Sequence, residues 1–515
     1  MKVAHNILAN LAGTFWGTAV GLVVVPIYLR LIGAEGYGLV GFYAVLSGLL
    51  SVLDGGFSAA ASRQLARSDS EVSGRGASMG KMLQTLEWLF FGIAVVAGLF
   101  VVGMAPILVS KWLNVQKLSA EGAILAVRLM GLILIVQFPL ALYNGCLMGM
   151  QRQVLLNGIN GVIATFRALG GVAVLLWVSP TVEAFFAWQA LITGVNLAWA
   201  GYSVHRLIPD RAAGGRFEFT EIRRLSSFAV GMGGINMLGL IVTQLDKVVL
   251  SWLLPLQQFG YYVLAWTLAT IIYRLAGPVF GAVLPRMTQL TAAGPADSWG
   301  SFFQKSAQLM AVLIVPFSLF MGTFAEDIVL LWTHDIAIAH ADRWVLALLA
   351  IGTMLNGIVQ IPYSLHIAQG RIRPIFTMSL LVLVVAAPIV YFLAMTFGSV
   401  GAASVWVMVN FAYLCTIAAL TLPLIGRAEL KAWLWHSVAK PVALSGLLLI
   451  GLKAIVGDGE TMPRMNLLVQ LAAAGIVCQL FVGALVPFSR EKALGALRQV
   501  IRRLVRGRRP VDNGG

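Results

Sequence analysis

Four cations lie deep inside otherwise apolar stretches of this 515-residue sequence, Arg128, Arg167, Lys247 and Arg274, and the clearest anions at depth are Asp54 and Asp246. A charge at the centre of a bilayer costs about 2.5–3.5 kcal/mol on insertion scales, so such residues are expected to face a wet cavity or a partner. Counted from the ends of their stretches, Asp54, Arg167 and Arg274 fall near middle depth, and Arg128, Asp246 and Lys247 in the outer third. One reading pairs them internally, Asp54 with Arg274 or Arg167 and Asp246 with a neighbour. Pairing cannot absorb four cations with two anions, however, and the surplus suits an anionic ligand. Arginine favours phosphate in particular, because its planar fork matches the phosphate oxygens.

Little else carries chemistry. The six histidines, His5, His205, His334, His340, His366 and His436, show no metal-ligand spacing. Gly76-Ala-Ser-Met-Gly80-Lys81 is one residue short of a phosphate-binding loop and lies between apolar stretches, so a flexible loop is expected there. Glu326, Asp327, His334 and Asp335 fall in an expected outer loop over 326–343 and are the one group that keeps an enzymatic reading open. Cys146, Cys415 and Cys478 each lie in apolar sequence and read as small buried core residues, not as a disulfide framework.

The elements that hold these residues are membrane helices. Hydrophobic residues make up 59% of the chain and charged residues 11%, against about 25% charged in soluble domains. The mean hydropathy is +0.87. Fourteen stretches reach the roughly 20 apolar residues that a span needs. They lie near 7–29, 39–61, 83–105, 122–147, 154–178, 181–204, 228–253, 259–284, 306–325, 344–368, 375–397, 400–424, 437–456 and 465–487. The first lacks a cleavage signature and is taken as a helix, not a removed leader. Unpaired backbone groups are not tolerated in hydrocarbon, and the short alternating segments of a barrel are missing, so the expected fold is all-α.

Of 36 Lys and Arg residues, 26 fall in one set of alternate loops and the tail, and six in the other. That asymmetry places both termini in the cytoplasm. After residue 487, Leu494, Leu497, Ile501, Leu504 and Val505 share one helical face and Arg498, Arg502, Arg503 and Arg506 the rest, a pattern suited to an anionic leaflet or to plain positive-inside charge. Nucleic acid is not an expected partner.

A repeat of about 221 residues runs through the chain. Tyr37-Gly38 answers Phe259-Gly260; Ala105 through Trp112 answers Ala325 through Trp332; Gln137-Phe-Pro139 answers Gln360-Ile-Pro362; Gly149 to Arg152 answers Gly370 to Arg373. The offset covers six spans, an even number, so the halves share orientation. The expectation is two six-helix lobes in parallel pseudo-twofold repeat around a central cavity, plus two appended helices. The boundaries are 1–205 for the N-terminal lobe, 206–225 for a basic cytoplasmic linker and 226–425 for the C-terminal lobe. The appended spans occupy 426–487 and the basic amphipathic tail 488–515. Pro26, Pro139, Pro278, Pro316, Pro362 and Pro388 lie inside spans, where each removes a helix hydrogen bond and permits bending.

The order of local motifs resembles the Wzx-type polysaccharide flippases of the multidrug/oligosaccharidyl-lipid/polysaccharide exporter superfamily. The resemblance rests on Asn10 through Pro26-Ile-Tyr-Leu-Arg30-Leu-Ile-Gly33-Ala-Glu-Gly-Tyr37-Gly38, Leu53-Asp54-Gly55-Gly56 and Arg63-Gln-Leu-Ala-Arg67. It continues in Leu245-Asp246-Lys247, Phe259-Gly-Tyr-Tyr-Val-Leu-Ala265, Pro285-Arg-Met287 and Ala368-Gln-Gly-Arg371. It implies a transporter, not an enzyme, of the bacterial inner membrane. Its cargo would be an undecaprenyl-pyrophosphate-linked oligosaccharide for O-antigen, capsule or exopolysaccharide synthesis, moved to the periplasmic leaflet by alternating access. Arg30, Arg128, Arg167, Lys247 and Arg274 would then attract the pyrophosphate or sugar, and Asp54 and Asp246 would serve ion pairing or coupling. No cofactor is implied beyond protons or sodium as candidate coupling ions; membrane lipids and polysaccharide polymerase machinery are the implied partners. The rivals are a cation-coupled multidrug exporter of the same superfamily, for which a net basic cavity is unsuited, a membrane polymerase or ligase acting on lipid-linked sugar, and a structural subunit.

Overall fold

The structure is a computed structural model and describes residues 2–68, 76–208, 217–293, 296–457, 459 and 462–486. The tail expected over 488–515 and residues 209–216 of the basic linker lie outside the described residues. Apolar runs with internally satisfied backbone give fifteen α-helices among the described residues. They are α1 (Lys2–Val52), α2 (Phe57–Ser68), α3 (Gly76–Ile107), α4 (Ala120–Gly149), α5 (Gln153–Trp177), α6 (Val182–Leu207), α7 (Phe219–Leu253) and α8 (Leu256–Ala269). There follow α9 (Ile271–Ala293), α10 (Ala296–Thr323), α11 (Ala325–Thr333), α12 (Ile336–Ala368), α13 (Ile372–Trp433), α14 (Lys440–Val456) and α15 (Arg464–Leu485). Five-to-six-residue π-helical turns follow α3 and α13. The protein is a multi-pass, all-α membrane protein.

Nine helical stretches are long and apolar enough to cross a bilayer among the described residues. Two of them carry more than one expected span, 12–52 and 372–456. Inside them the chain changes direction where a glycine leaves helical geometry: Gly33, with φ of 74°, separates the first two expected spans, and Gly398, with φ of 60°, separates the eleventh and twelfth. An L-residue with a Cβ rarely adopts that conformation, so the joint positions are set locally. The expected spans over 181–204 and 228–253 correspond to α6 and α7, which are not among the nine.

Several expectations need correction. The second expected span, 39–61, is not continuous: the turn Leu53–Gly56 divides α1 from α2, and Asp-Gly-Gly is a turn sequence that overrides the local hydropathy. The eighth, 259–284, falls within one membrane-crossing stretch, Leu256–Ala293, that carries a one-residue turn at Thr270 between α8 and α9. The turn at Thr270 falls one to two helical turns from the repeat equivalent of Leu53–Gly56. The phosphate-loop lookalike at Gly76 is the first turn of α3, not a loop. The expected outer loop 326–343 is helical, formed by α11 and the start of α12. Cys415 is exposed, whereas Cys146 and Cys478 are buried; an apolar stretch presents one face to lipid, and Cys415 lies on it.

The chain groups into two compact units, Met1–Leu264 with Ser379–Ala402, and Ala265–Met378 with Ala403–Gly515. In the first, α3 packs on α4, α4 on α6, and α1 on α5. Its most constrained junction surrounds the kink of α1. The buried Glu35 carboxylate accepts hydrogen bonds from three successive backbone amides, Gln116 at 2.5 Å, Lys117 at 2.6 Å and Leu118 at 2.7 Å. The same segment ties α8, because Leu256 N donates to Asn114 O at 3.0 Å. Hydrogen bonds to a charged acceptor contribute about 1.5–3 kcal/mol each and are not additive. Glu35→Ala is therefore expected to destabilise by about 3 kcal/mol, and Glu35→Gln by less, as read from thermal unfolding in detergent.

Beside this junction, α1 and α8 cross with backbone against backbone. A methyl group on Gly38 would overlap the Leu256 carbonyl oxygen, and one on Gly260 would overlap the Ala34 carbonyl oxygen. The pattern is reciprocal, each glycine meeting the carbonyl four residues before the other. Positions 38 and 260 are also equivalent in the sequence repeat. Close small-residue crossings of this kind hold membrane helices together by dispersion where no hydrophobic force distinguishes neighbour from lipid.

In the second unit, α10 packs on α12, α9, α14 and α15. The appended helices share a buried cluster with it, including Val312, Phe324, Leu449, Leu471, Cys478 and Val482. Lys453 of α14 reaches the buried Asp327 of α11 at 2.5 Å. Removing one partner of such a pair strands the other, so Lys453→Ala is expected to destabilise by about 3 kcal/mol. That places it at the low end of the range, because Lys453 is one-third exposed. Lys453→Ala with Asp327→Asn should recover most of the loss in the same unfolding assay.

Candidate functional site

The membrane charges find different surroundings. Asp246 and Lys247 are both buried in α7 and form an ion pair at 3.1 Å. Lys247 Nζ also donates to Thr243 O at 2.7 Å, and the Tyr262 hydroxyl of α8 donates to Asp246 Oδ2. Both charges are thus supplied from within the protein. Asp54 accepts from Ser58 N at 3.0 Å and from Ser58 Oγ at 2.9 Å. It thereby satisfies one of the free amides in the first turn of α2. No ion pair joins Asp54 to Arg167 among the described residues. Arg30, Arg128 and Arg274 are exposed, Arg30 one turn before the kink of α1 and Arg274 in the first turn of α9.

Arg167 differs from all of these. It is half-buried on α5, and no carboxylate neutralises it among the described residues. One Nη donates to Thr193 Oγ1 of α6 at 3.3 Å, while the buried Nε has no hydrogen-bond partner. The phenols of Tyr43 and Tyr28 on α1 lie within its electrostatic reach. Tyr28 fastens α1 to α5 by donating to Ala168 O at 2.8 Å. Tyr43 donates to Gln137 Oε1 of α4. Rings frame the group: Tyr28 meets Phe185 edge-on at 4.9 Å, and Tyr43 meets Phe186 at 5.9 Å.

Other polar atoms inside this unit are also unsatisfied. Asn196 Oδ1 lies one turn beyond Thr193, and Gln244 Oε1 belongs to a side chain packed against Gly48. A guanidinium donor surrounded by hydroxyl and amide groups can hold an anionic oxygen and neighbouring hydroxyls. Sequence reading finds Arg167 by its charge. It misses Tyr28, Tyr43, Thr193 and Asn196, whose only signal is a polar atom at mid-span.

A family model described as Polysaccharide biosynthesis protein matches residues 3–291. The chain belongs to that family. The matched span holds α1 through most of α9, including every residue around Arg167. Among curated proteins, this member of the family is 20% identical over 406 residues to a Shigella flexneri protein described as "Putative O-antigen transporter", covering 79% of the chain and 94% of that protein. Among solved structures it resembles the lipid II flippase MurJ in an inward closed conformation, with a TM-score of 0.71, 14% identity, and 95% and 100% of the two chains covered. It also resembles an inward-facing multidrug resistance MATE family transporter of the MOP superfamily, with a TM-score of 0.57, 15% identity, and 83% and 96% covered. At these identities the likeness is one of fold. The protein is thus a member of this polysaccharide-biosynthesis family, with a fold shared with MurJ and MATE transporters.

Proposed function

We propose that the chain is a flippase that carries an undecaprenyl-pyrophosphate-linked oligosaccharide from the cytoplasmic to the periplasmic leaflet of the bacterial inner membrane. It does so by alternating access, with fourteen crossings arranged as six plus six plus two and both termini in the cytoplasm. The product serves O-antigen, capsule or exopolysaccharide synthesis, and polymerase machinery acts on it next. The sugar and pyrophosphate pass through the protein while the polyprenyl chain stays in lipid.

The observation that carries this reading is the half-buried Arg167, with an unpartnered Nε and no balancing carboxylate among the described residues. A guanidinium kept out of water without a counter-charge is costly, and an anionic cargo oxygen removes that cost during transport. Arg30, Arg128 and Arg274 are the exposed cations available to the headgroup, whereas Lys247 is committed to Asp246. Asp54 and Asp246 serve local structure in this reading, and coupling is assigned elsewhere. Complementation of polymer export in a deletion strain tests it. Arg167→Ala combined with Arg274→Ala should abolish export, and export at the native level in that double variant would overturn the site.

A further inference from the structure

One carboxyl group in the second unit is left unexplained by any of this. Asp342 lies in the second turn of α12 and is 1% exposed. Its helix-face neighbours three and four residues away are Ile338, Ala339, Val345 and Leu346, each 2% exposed or less. Oδ2 has no hydrogen-bond partner, and no ion pair reaches the group among the described residues. A bare carboxylate in that hydrocarbon surrounding would forfeit its hydration with nothing in return.

The charged groups on the elements packed against α12 are engaged or distant in sequence. On α11, Glu326 pairs with His340 at 2.7 Å and Arg343 at 3.6 Å, and Asp327 with Lys453. The facing stretch of α10, 306–323, has no charged residue, nor does α13 from 374 to 426. The charges of α9 are Arg274 and Arg286.

We propose that Asp342 is a proton-binding site of this transporter. The proton adds to a carboxylate oxygen and forms one O–H bond; no other bond changes, and the group becomes neutral. A metal cation would need a shell of several oxygens, and the neighbours on this face are hydrocarbon. Movement of α12 that wets Asp342 releases the proton, so its occupancy is linked to conformation. The proposal does not depend on which cargo the chain carries.

Infrared spectroscopy of the purified full-length protein in phosphatidylcholine vesicles tests it, with protons as the probe. The native protein should show the carbonyl stretch of a protonated carboxylic acid at neutral pH. That band should be missing in Asp342→Asn and displaced in Asp342→Glu. In cells, Asp342→Asn should lower polymer export by about tenfold with native membrane abundance, while Asp342→Glu retains most of it. Absence of any protonated-acid band in the native protein would overturn the proposal without recourse to a variant. So would a band unchanged in Asp342→Asn, or native export by that variant. Loss of export in Arg167→Ala with the Asp342 band intact would leave the cargo reading and the proton site separately supported.

Discussion

Arg167→Ala is expected to lower polymer export at least tenfold while leaving the protein folded and abundant. A hydrogen bond to a charged partner contributes about 1.5–3 kcal/mol, and about 1.4 kcal/mol corresponds to tenfold. The stability change should have the sign opposite to that of a structural residue. Arg167 gives one hydrogen bond, to Thr193 at 3.3 Å, and its Nε is unsatisfied. Deleting it removes a poorly compensated charge, so the thermal midpoint should hold or rise. Arg167→Lys keeps the charge and loses the planar fork, and should fall between the two. Thr193→Val should have a smaller effect on export. The check is quantitative export in a deletion strain, with membrane abundance measured on the same cells.

Gly260→Val and Gly38→Val should each cost most of the folded protein. Backbone carbonyls occupy the space that a side chain would need at both positions, and a backbone cannot turn aside as a flexible side chain can. Overpacking commonly costs about 1–3 kcal/mol, and a forced separation of α1 from α8 adds the loss of their contacts. Gly17→Ala is the matched control: it also lies in α1, nothing stands within 4 Å of an added methyl, and alanine suits a helix better. Membrane abundance and thermal unfolding should therefore be unchanged or improved in the control and greatly reduced in the two valine variants.

The helical, membrane-spanning class was legible because an apolar run of about 20 residues has one solution in hydrocarbon. Joint positions were legible where a glycine carried them, as at Gly33 and Gly398. The break after α1 was hidden because a hydropathy window averages Asp54-Gly55-Gly56 with its apolar flanks. The carboxylate then looked like a mid-span charge, when it serves the first turn of α2. Asp246 and Lys247 were legible as buried charges but not as a pair, because adjacent helix residues point in different directions. The flexible lysine stem closes that gap, and the hydroxyl of Tyr262 comes from another helix.

Arg167 was found by type and depth alone. Its frame of Tyr28, Tyr43 and Thr193 comes from two other helices, and only tertiary packing assembles it. Glu35 and Asp342 were missed for a common reason: both were assigned to joints, where a charge raises no question. The structure buries both, one under three amides and the other in hydrocarbon.

The central claim concerns the cargo, and the accumulation of lipid-linked oligosaccharide in a deletion strain tests it most directly. Cells lacking the chain should build up the undecaprenyl-pyrophosphate-linked repeat unit on the cytoplasmic side and make little polymer. The native chain should restore export, and Arg167→Ala should not. Normal polymer with no such accumulation, accompanied by increased sensitivity to lipophilic cationic drugs, would contradict the account and favour a multidrug exporter.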